Sequence, residues 1–339
     1  MGRQLEWSST RIDTANYCLM RYHLKYIEKI EPLRLSVYLK GDLLHHLIQD
    51  LWKNFGKKYS NAEEFASYAQ RMWDYFCIRA EKSERKVAWR FPEERWTMKR
   101  DLEGVCLNLF PILMEEGPPI FSELAFKFGI PGKIFRGRID EIRKRELIVI
   151  RDYKSGKPYM GEMKLKFDPQ LTVYNAALKS LIEQNDDIAR KLGFDGRNVF
   201  YEDSFINPDF IQEFFMLEAP FLIKRREQEG KKTSTPFIHQ AKRTNEHFLE
   251  VINMIDGAQR AVSLGNIYPE RGRKCDDCDM KYACEKKIKD VCKGQFPVKE
   301  QLSLDFSVPL FAQSQEQKKA AKGRDKTQKR FAFRYAKQN

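Results

Sequence analysis

The apolar periodicity of this chain switches from helical to alternating near residue 120, and that switch limits the fold more than any other feature. Before it, Leu43, Leu44, Leu47, Ile48, Leu51, Trp52 and Phe55 recur at the 3.6-residue spacing of a helix that starts after Gly41. Residues 9–30 read as a helix that hydroxyls of Ser8, Ser9 and Thr10 can cap, and residues 61–83 and 97–115 read as helices too. After the switch, residues 121–130, 133–142 and 146–153 alternate or run apolar with β-branched content. Pro131-Gly132 and Arg143-Lys144-Arg145 mark the turns between them. Three such strands form a meander. A helix at about 169–184, a strand at about 197–205 and helices at about 208–229 and 244–263 complete the body. The expected fold is α/β, with a helical N-terminal half, a central sheet and a helical return.

Composition bounds this reading. A chain of 339 residues with 42% hydrophobic and 13% aromatic residues can build a sizeable core, which excludes a wholly disordered protein. No apolar run approaches the roughly 18 residues of a membrane span, and Met1-Gly2-Arg3-Gln4-Leu5-Glu6-Trp7 lacks the apolar core of an export signal. A soluble cytoplasmic protein with no membrane partner is expected. The net charge of +13 favours a polyanionic partner such as nucleic acid. Part of it is concentrated in residues 313–339, where nine lysines and arginines face only Glu316 and Asp325. The expected organisation is therefore one domain over 1–295 with a helical insertion at about 56–116, a linker at 296–312, and a basic, disordered tail at 313–339.

Seven cysteines in a chain without an export signal argue against a disulfide framework. Cys77 and Cys106 sit alone in apolar helical surroundings and read as small core residues. Cys275, Cys278 and Cys284 form C-x2-C-x5-C, and C-x2-C can grip one metal centre from a tight turn. Three ligands leave such a centre one short. Cys18 and Cys292 are the candidates for the fourth.

The meander carries the chemistry. Gly137-Arg138-Ile139-Asp140 lies on one strand, and Asp152-Tyr153-Lys154-Ser155-Gly156 ends the next. Asp152 and Lys154, two apart on a strand, project from one face, and a turn near Arg145-Glu146 sets Asp140 opposite or diagonal to Asp152. Two carboxylates and a lysine at a strand end are costly unless a cation neutralises the acids. Oxygen ligands suit Mg²⁺ or Mn²⁺, and the lysine suits an anionic substrate or an activated water. Glu123, on the first strand, is a possible further acid of the site.

These residues resemble a family. Gly-x-x-Asp, Asp-x-Lys followed by Ser-Gly, Gln170-Leu171-Thr172-Val173-Tyr174, and Gly41-Asp42-Leu43-Leu44-His45 on an early helix are similar in order and spacing to the RecB-like branch of the PD-(D/E)xK nucleases, over roughly residues 8–290. The proline of the motif name is replaced here by Ile139. The resemblance implies a restriction-endonuclease-like core, a central mixed sheet flanked by helices. It implies that His45, Asp140, Asp152 and the carbonyl of Tyr153 hold one or two Mg or Mn ions. Lys154 orients or deprotonates the attacking water, and Gln170 and Tyr174, one turn apart on a helix, contact the nucleic-acid backbone. His46 has the same chemistry as His45, and only the Gly-x-x-x-His offset prefers the latter. The cysteines resemble the iron–sulfur subgroup, which includes the AddB nuclease domain, CRISPR-adaptation nucleases and exonuclease V-type enzymes. That resemblance implies a [4Fe–4S] cluster on Cys18, Cys275, Cys278 and Cys284, stapling the two ends of the domain. Leu19 stands where that subgroup often has proline, which leaves Cys292 as a rival ligand; a zinc site is the alternative.

Two softer features complete the reading. Trp89, Phe91 and Trp96, interleaved with Arg85, Lys86, Arg90, Arg95, Lys99 and Arg100, could stack bases and hold phosphates of single-stranded DNA, or form an ordinary helical connector. Gln301-Leu302-Ser303-Leu304-Asp305-Phe306 resembles the bacterial sliding-clamp-binding hexapeptide. Gln301, Leu302, Leu304 and Phe306 would fill the clamp groove, although alternating apolar residues also describe an edge strand. The expected function is a metal-dependent DNA nuclease, an exonuclease on single-stranded ends in DNA repair or replication-linked processing. The alternatives are a flap or branched-DNA endonuclease and a non-catalytic, clamp-associated DNA-binding factor.

Overall fold

The structure is a computed structural model, and it describes residues 6–83, 87–155, 162–194, 204–231, 237–270 and 272–295. Arg85 and Lys86, the hexapeptide at 301–306 with Gln301, Leu302, Leu304 and Phe306, the basic tail, and the side chain of Cys292 lie outside the described residues, as does nearly all of the strand expected at 197–205. The sheet and its flanking helices belong to the first of two units, residues 1–286; the second covers 287–339.

In chain order, β1 (Glu6–Trp7) precedes α1 (Ser9–Tyr17) and α2 (Leu19–Tyr22), which runs on as a π-helical turn, His23–Ile27. Then come β2 (Arg34–Leu35), α3 (Ser36–Lys53), α4 (Ala62–Lys82), β3 (Val87–Ala88) and α5 (Glu94–Glu116). The meander is β4 (Phe121–Ile130), β5 (Lys133–Lys144) and β6 (Ile148–Lys154). Next are α6 (Glu162–Phe167), α7 (Pro169–Gln184), α8 (Asp186–Leu192), β7 (Ile211–Met216), α9 (Ala219–Gln228), β8 (Ile238–Lys242), α10 (Asn245–Ser263) and α11 (Lys281–Gln295). Side-chain caps set several boundaries. Ser8 accepts from the Arg11 amide, Asn61 from that of Glu64, and Asp168 from that of Gln170.

β5 is the spine of a mixed, six-stranded sheet. β4 runs antiparallel along one edge, from Phe121 opposite Ile142 to Ile130 opposite Lys133. On the other edge β1 pairs in parallel near the start of β5, and β6 pairs antiparallel near its end. β7 joins β6 in parallel, with Asp152 opposite Phe214, and β8 closes the sheet antiparallel to β7. Helices cover both faces. Phe128, Phe135, Ile139 and Ile150 pack with Val173 of α7 and Phe248 of α10 on one side. Tyr153 and Phe215 pack with leucines of α3 and α5 on the other. The result is an α/β fold in which helices flank a mixed sheet, as expected of a restriction-endonuclease-like core.

Three expectations need correcting. The helix expected at 9–30 breaks at Cys18, whose extended backbone (φ −168°, ψ 117°) separates α1 from α2. The helix expected after Gly41 begins at Ser36, so Gly41 lies inside it. The helix expected at 208–229 is a strand followed by a shorter helix. Gln212 and Glu213 are fully buried in β7, so their polarity imitates a solvent-facing helical side that does not exist. β8 was not anticipated at all.

Candidate active site

β6 is buried on both faces until its last residue, and its alternation sorts its side chains. Ile148 and Ile150 enter the core beneath α7, and Asp152 and Lys154 continue the same row to the strand end. The Lys154 ammonium lies 2.8 Å from Asp152 Oδ2. Gln170, in the first turn of α7, bridges the pair: its Nε2 donates to Asp152 Oδ1 (2.6 Å) and its Oε1 accepts from Lys154 Nζ (2.6 Å). The same Nε2 is 2.8 Å from the Tyr174 hydroxyl one turn later. Tyr174 is only 4% exposed, so it braces Gln170 from within the core.

A local break in the meander presents the other acids. Ser122 pairs with Glu141 and Leu124 with Ile139, but Glu123 and Asp140 between them do not pair. Glu123 has φ 56°, in the left-handed region that costs a non-glycine residue about 1–3 kcal/mol. Asp140 lies just beyond the last β5–β6 pair, Glu141 with Arg151, and its Oδ2 accepts the Tyr153 amide at 2.8 Å. His45 enters from α3 with Nδ1 3.6 Å from the same oxygen. One ligand atom each from His45, Glu123 and Asp140 lie within 4.8 Å of one another. His46 instead packs its ring on Phe76 of α4, with centroids 5.7 Å apart.

The motif glycines are explained by close approaches. A Cβ on Gly41 would sit 2.8 Å from Ser155 Oγ, so its absence lets α3 rest on the end of β6. A Cβ on Gly137 would meet the Phe126 ring at 2.7 Å.

Burial, then the neighbouring Asp152 charge, pushes the Asp140 carboxyl well above its usual range, against the pull of the Tyr153 amide. Burial raises Asp168 as well. For Lys154, burial acts downward, but the carboxylates of Asp152 and Asp168 prevail and its value rises, so it is an ammonium at neutral pH. Asp152 is 2% exposed, and its Oδ2 is buried without a well-formed hydrogen bond despite the ion pair. Asp140 and Asp152 thus exceed the positive charge of Lys154, and Glu123, paired only with the exposed Arg138, and the His45 imidazole add further donors. Such a donor set fits a hard divalent cation such as Mg²⁺ or Mn²⁺.

The cysteine segment meets the first helices elsewhere. Cys18, Met20, Leu24 and Met280 form a small core against which Cys278 and Cys284 pack. The Tyr17 hydroxyl donates to the Lys274 carbonyl (2.9 Å), and Lys274 Nζ donates to the Tyr17 carbonyl (2.6 Å). Arg21 makes a two-pronged contact with buried Asp279, at 2.7 and 3.0 Å. Cys275 points its thiol at the Glu270 carbonyl, 3.6 Å away. Among the described residues, none of these cysteines is joined in a disulfide. Among the described residues, the His45–Glu123–Asp140 set is the tight ligand group, and the cysteines form no comparable one. In the aromatic stretch, Trp96 is 62% exposed, but Arg90, Arg95 and Lys99 are paired with Glu94, Glu81 and Asp74. Among the described residues, no helix is long and apolar enough to cross a membrane.

A family model described as the PD-(D/E)XK nuclease superfamily matches residues 6–285. Among solved structures, the chain is similar to a candidate exonuclease from Eubacterium rectale, at 11% identity and a TM-score of 0.40, over 89% of this chain and 93% of that one. A search of curated proteins finds no match.

Proposed function

The chain belongs to the PD-(D/E)XK nuclease superfamily, and from that premise we propose that it is a Mg²⁺- or Mn²⁺-dependent deoxyribonuclease acting as an exonuclease on single-stranded ends, in the cytoplasm. The observation that carries this reading is the convergence of His45, Glu123 and Asp140 beside the Asp152–Lys154–Gln170 network. His45, Glu123 and Asp140 would hold the cation, with Asp152 beside them. A divalent cation bound there lowers the pKa of an attacking water and offsets charge on the departing oxygen. Lys154, held as an ammonium, stabilises negative charge on the phosphate at the transition state and is a poor general base. Gln170 fixes both members of the Asp-x-Lys pair, so its role is positioning. The single-strand preference rests on the resemblance to RecB-like nucleases. End-labelled single- and double-stranded DNA, incubated with Mg²⁺ or Mn²⁺ and resolved by product length, tests it. Progressive shortening from ends of single strands is expected; no cleavage of either substrate overturns the assignment.

The same reading gives Cys18, Cys275, Cys278 and Cys284 a [4Fe–4S] cluster. Its support is the packing of Cys18, Cys278 and Cys284 around one small core, with no disulfide joining them. Anaerobically purified protein is expected to be brown and to contain iron and acid-labile sulfide; a colourless, zinc-loaded protein overturns the cluster. The 301–306 hexapeptide is proposed to dock on a sliding clamp. Deleting it is expected to abolish clamp binding while cleavage persists.

A further inference from the structure

We propose that a cleft beside the His45–Glu123–Asp140 group is the binding pocket for one nucleotide of the strand being cut, adjacent to the scissile phosphate. This rests on the nuclease reading above and names the part of the substrate that the cleft takes. The cavity measures about 280 Å³. That is near the lower end, about 300 Å³, of small-molecule sites, and it suits a single nucleotide unit better than a duplex.

The sequence of α3 places the pocket next to the acids. His45, Gln49 and Lys53 are spaced four apart, so they form one row on the helix that advances about 6 Å per step. The row starts at the imidazole beside Asp140 and ends in the cleft, where Gln49 and Lys53 line one wall. A strand with a phosphate at His45 and Asp140 therefore has its neighbouring nucleotide laid along Gln49 and Lys53.

The opposite wall comes from the start of the meander. Glu123 belongs to both the acid group and the cleft, so the two share a partition. Arg138 also lines the cleft; it is 60% exposed, with Nη1 3.3 Å from Glu123 Oε2. That contact engages one of its five N–H donors, and the side chain stays largely exposed. The lining also includes the stiff, apolar Pro118, Pro119 and Trp52. Trp52 is 9% exposed, and its ring is held by a hydrogen bond to Glu141 and by the Arg143 guanidinium 5.4 Å from its centroid. Two exposed cations and rigid apolar residues lining one cleft match a nucleotide, with phosphate at the cations and sugar or base against the rings.

The test is binding of a fluorescein-labelled oligothymidylate to the full chain in EDTA, by anisotropy over a range of salt concentrations. Lys53→Gln and Arg138→Gln are each expected to weaken binding up to about fivefold and to reduce the log–log salt slope by about 0.7, the single-strand value per phosphate contact. Lys127→Gln, a surface cation paired with Glu6, is the control and should do neither. Ser122→Trp fills the cleft from an exposed strand position without changing charge, and should weaken binding while leaving the slope intact. The pocket is overturned, and the nuclease reading kept, if the protein cleaves DNA with Mg²⁺ or Mn²⁺ but these three variants bind as wild type does. A wild-type chain that neither binds nor cleaves overturns both.

Discussion

On one face of β6 Arg151 is fully buried, and on the other face the next residue, Asp152, is buried almost as deeply. The two charges are treated differently. Arg151 Nε lies 2.5 Å from Glu213, and its two terminal nitrogens reach Glu116 at 2.5 and 2.9 Å. Arg143 pairs with Glu141 at 2.8 Å, and Arg145 bridges Glu116 and Glu213. Glu141 also accepts from Trp52 and from the Tyr153 hydroxyl. Three arginines thus meet three glutamates, and that network closes on itself. On the Asp152 face, Asp140, Asp152 and Asp168 share Lys154, with Arg243 acting on Asp168 and the exposed Arg138 on Glu123. Buried charge that balances is structural; buried charge that does not balance calls for a ligand. The same strand holds both.

Breaking each face should therefore damage a different property. Asp152→Ala is expected to reduce Mg²⁺- or Mn²⁺-dependent cleavage by at least about 10³-fold, while the folded state loses less stability than in Arg151→Met, because Lys154 keeps Asp168 and Asp140 as neighbours. Gel assays on end-labelled DNA and thermal melts of the same preparation check both halves; undiminished cleavage would sink the site. Arg151→Met should do the reverse. It removes the fully buried partner of Glu213 and Glu116 and leaves them chiefly the half-exposed Arg145, a loss of about 3–5 kcal/mol by urea unfolding. A cost below about 1 kcal/mol would mean that the network is not the structural counterpart of the site.

The two faces were unequally legible in the sequence. Asp152 and Lys154 could be placed on one face because strand alternation is a local rule, whereas Gly137 and Gly41 stood out only as members of short motifs, and the close approaches they permit are visible only in the fold. The balanced network was invisible for the opposite reason. Arg151 and Glu213 are 62 residues apart and meet only because β7 lies parallel to β6, and the 208–229 segment read as helix. No local pattern announces such a partner. Glu123 falls between these cases. Its residue type hinted at a ligand, but the left-handed backbone that turns it toward His45 and Asp140 comes from the break in pairing with β5. The early helix hid a similar break, because nothing in the residues around Cys18 forbids a continuous helix there.

A surplus of negative charge also predicts what a cation does to stability. Mn²⁺ at about 100 times its dissociation constant should stabilise the chain by about 2.7 kcal/mol, read as a rise in melting temperature. Asp140→Asn should lose most of that gain, whereas a charge-neutral change far from the acids should keep it. An equal gain in Asp140→Asn would move the cation elsewhere.

The smallest effect is the most discriminating, because the two faces should respond to pH with opposite sign. Burial and Asp152 raise the folded value of Asp140 above its unfolded one, so ionising it costs stability as pH rises through that interval. In EDTA, Asp140→Asn should therefore be more stable than wild type at neutral pH. That advantage should fade as pH falls and vanish below the unfolded carboxylate range, near about pH 4. Burial pushes Glu116 upward, but its hydrogen bond and ion pair with Arg151 prevail and lower its folded value. Its contribution is present above the unfolded value and lost as pH falls through the folded one. Glu116→Gln should accordingly be less stable than wild type at neutral pH, with the deficit closing in acid. Melting curves of both variants across this range decide the matter. Parallel slopes would mean that the acids of the site are as well neutralised as those of the network, and the case for a cation at His45, Glu123 and Asp140 would lose its electrostatic basis.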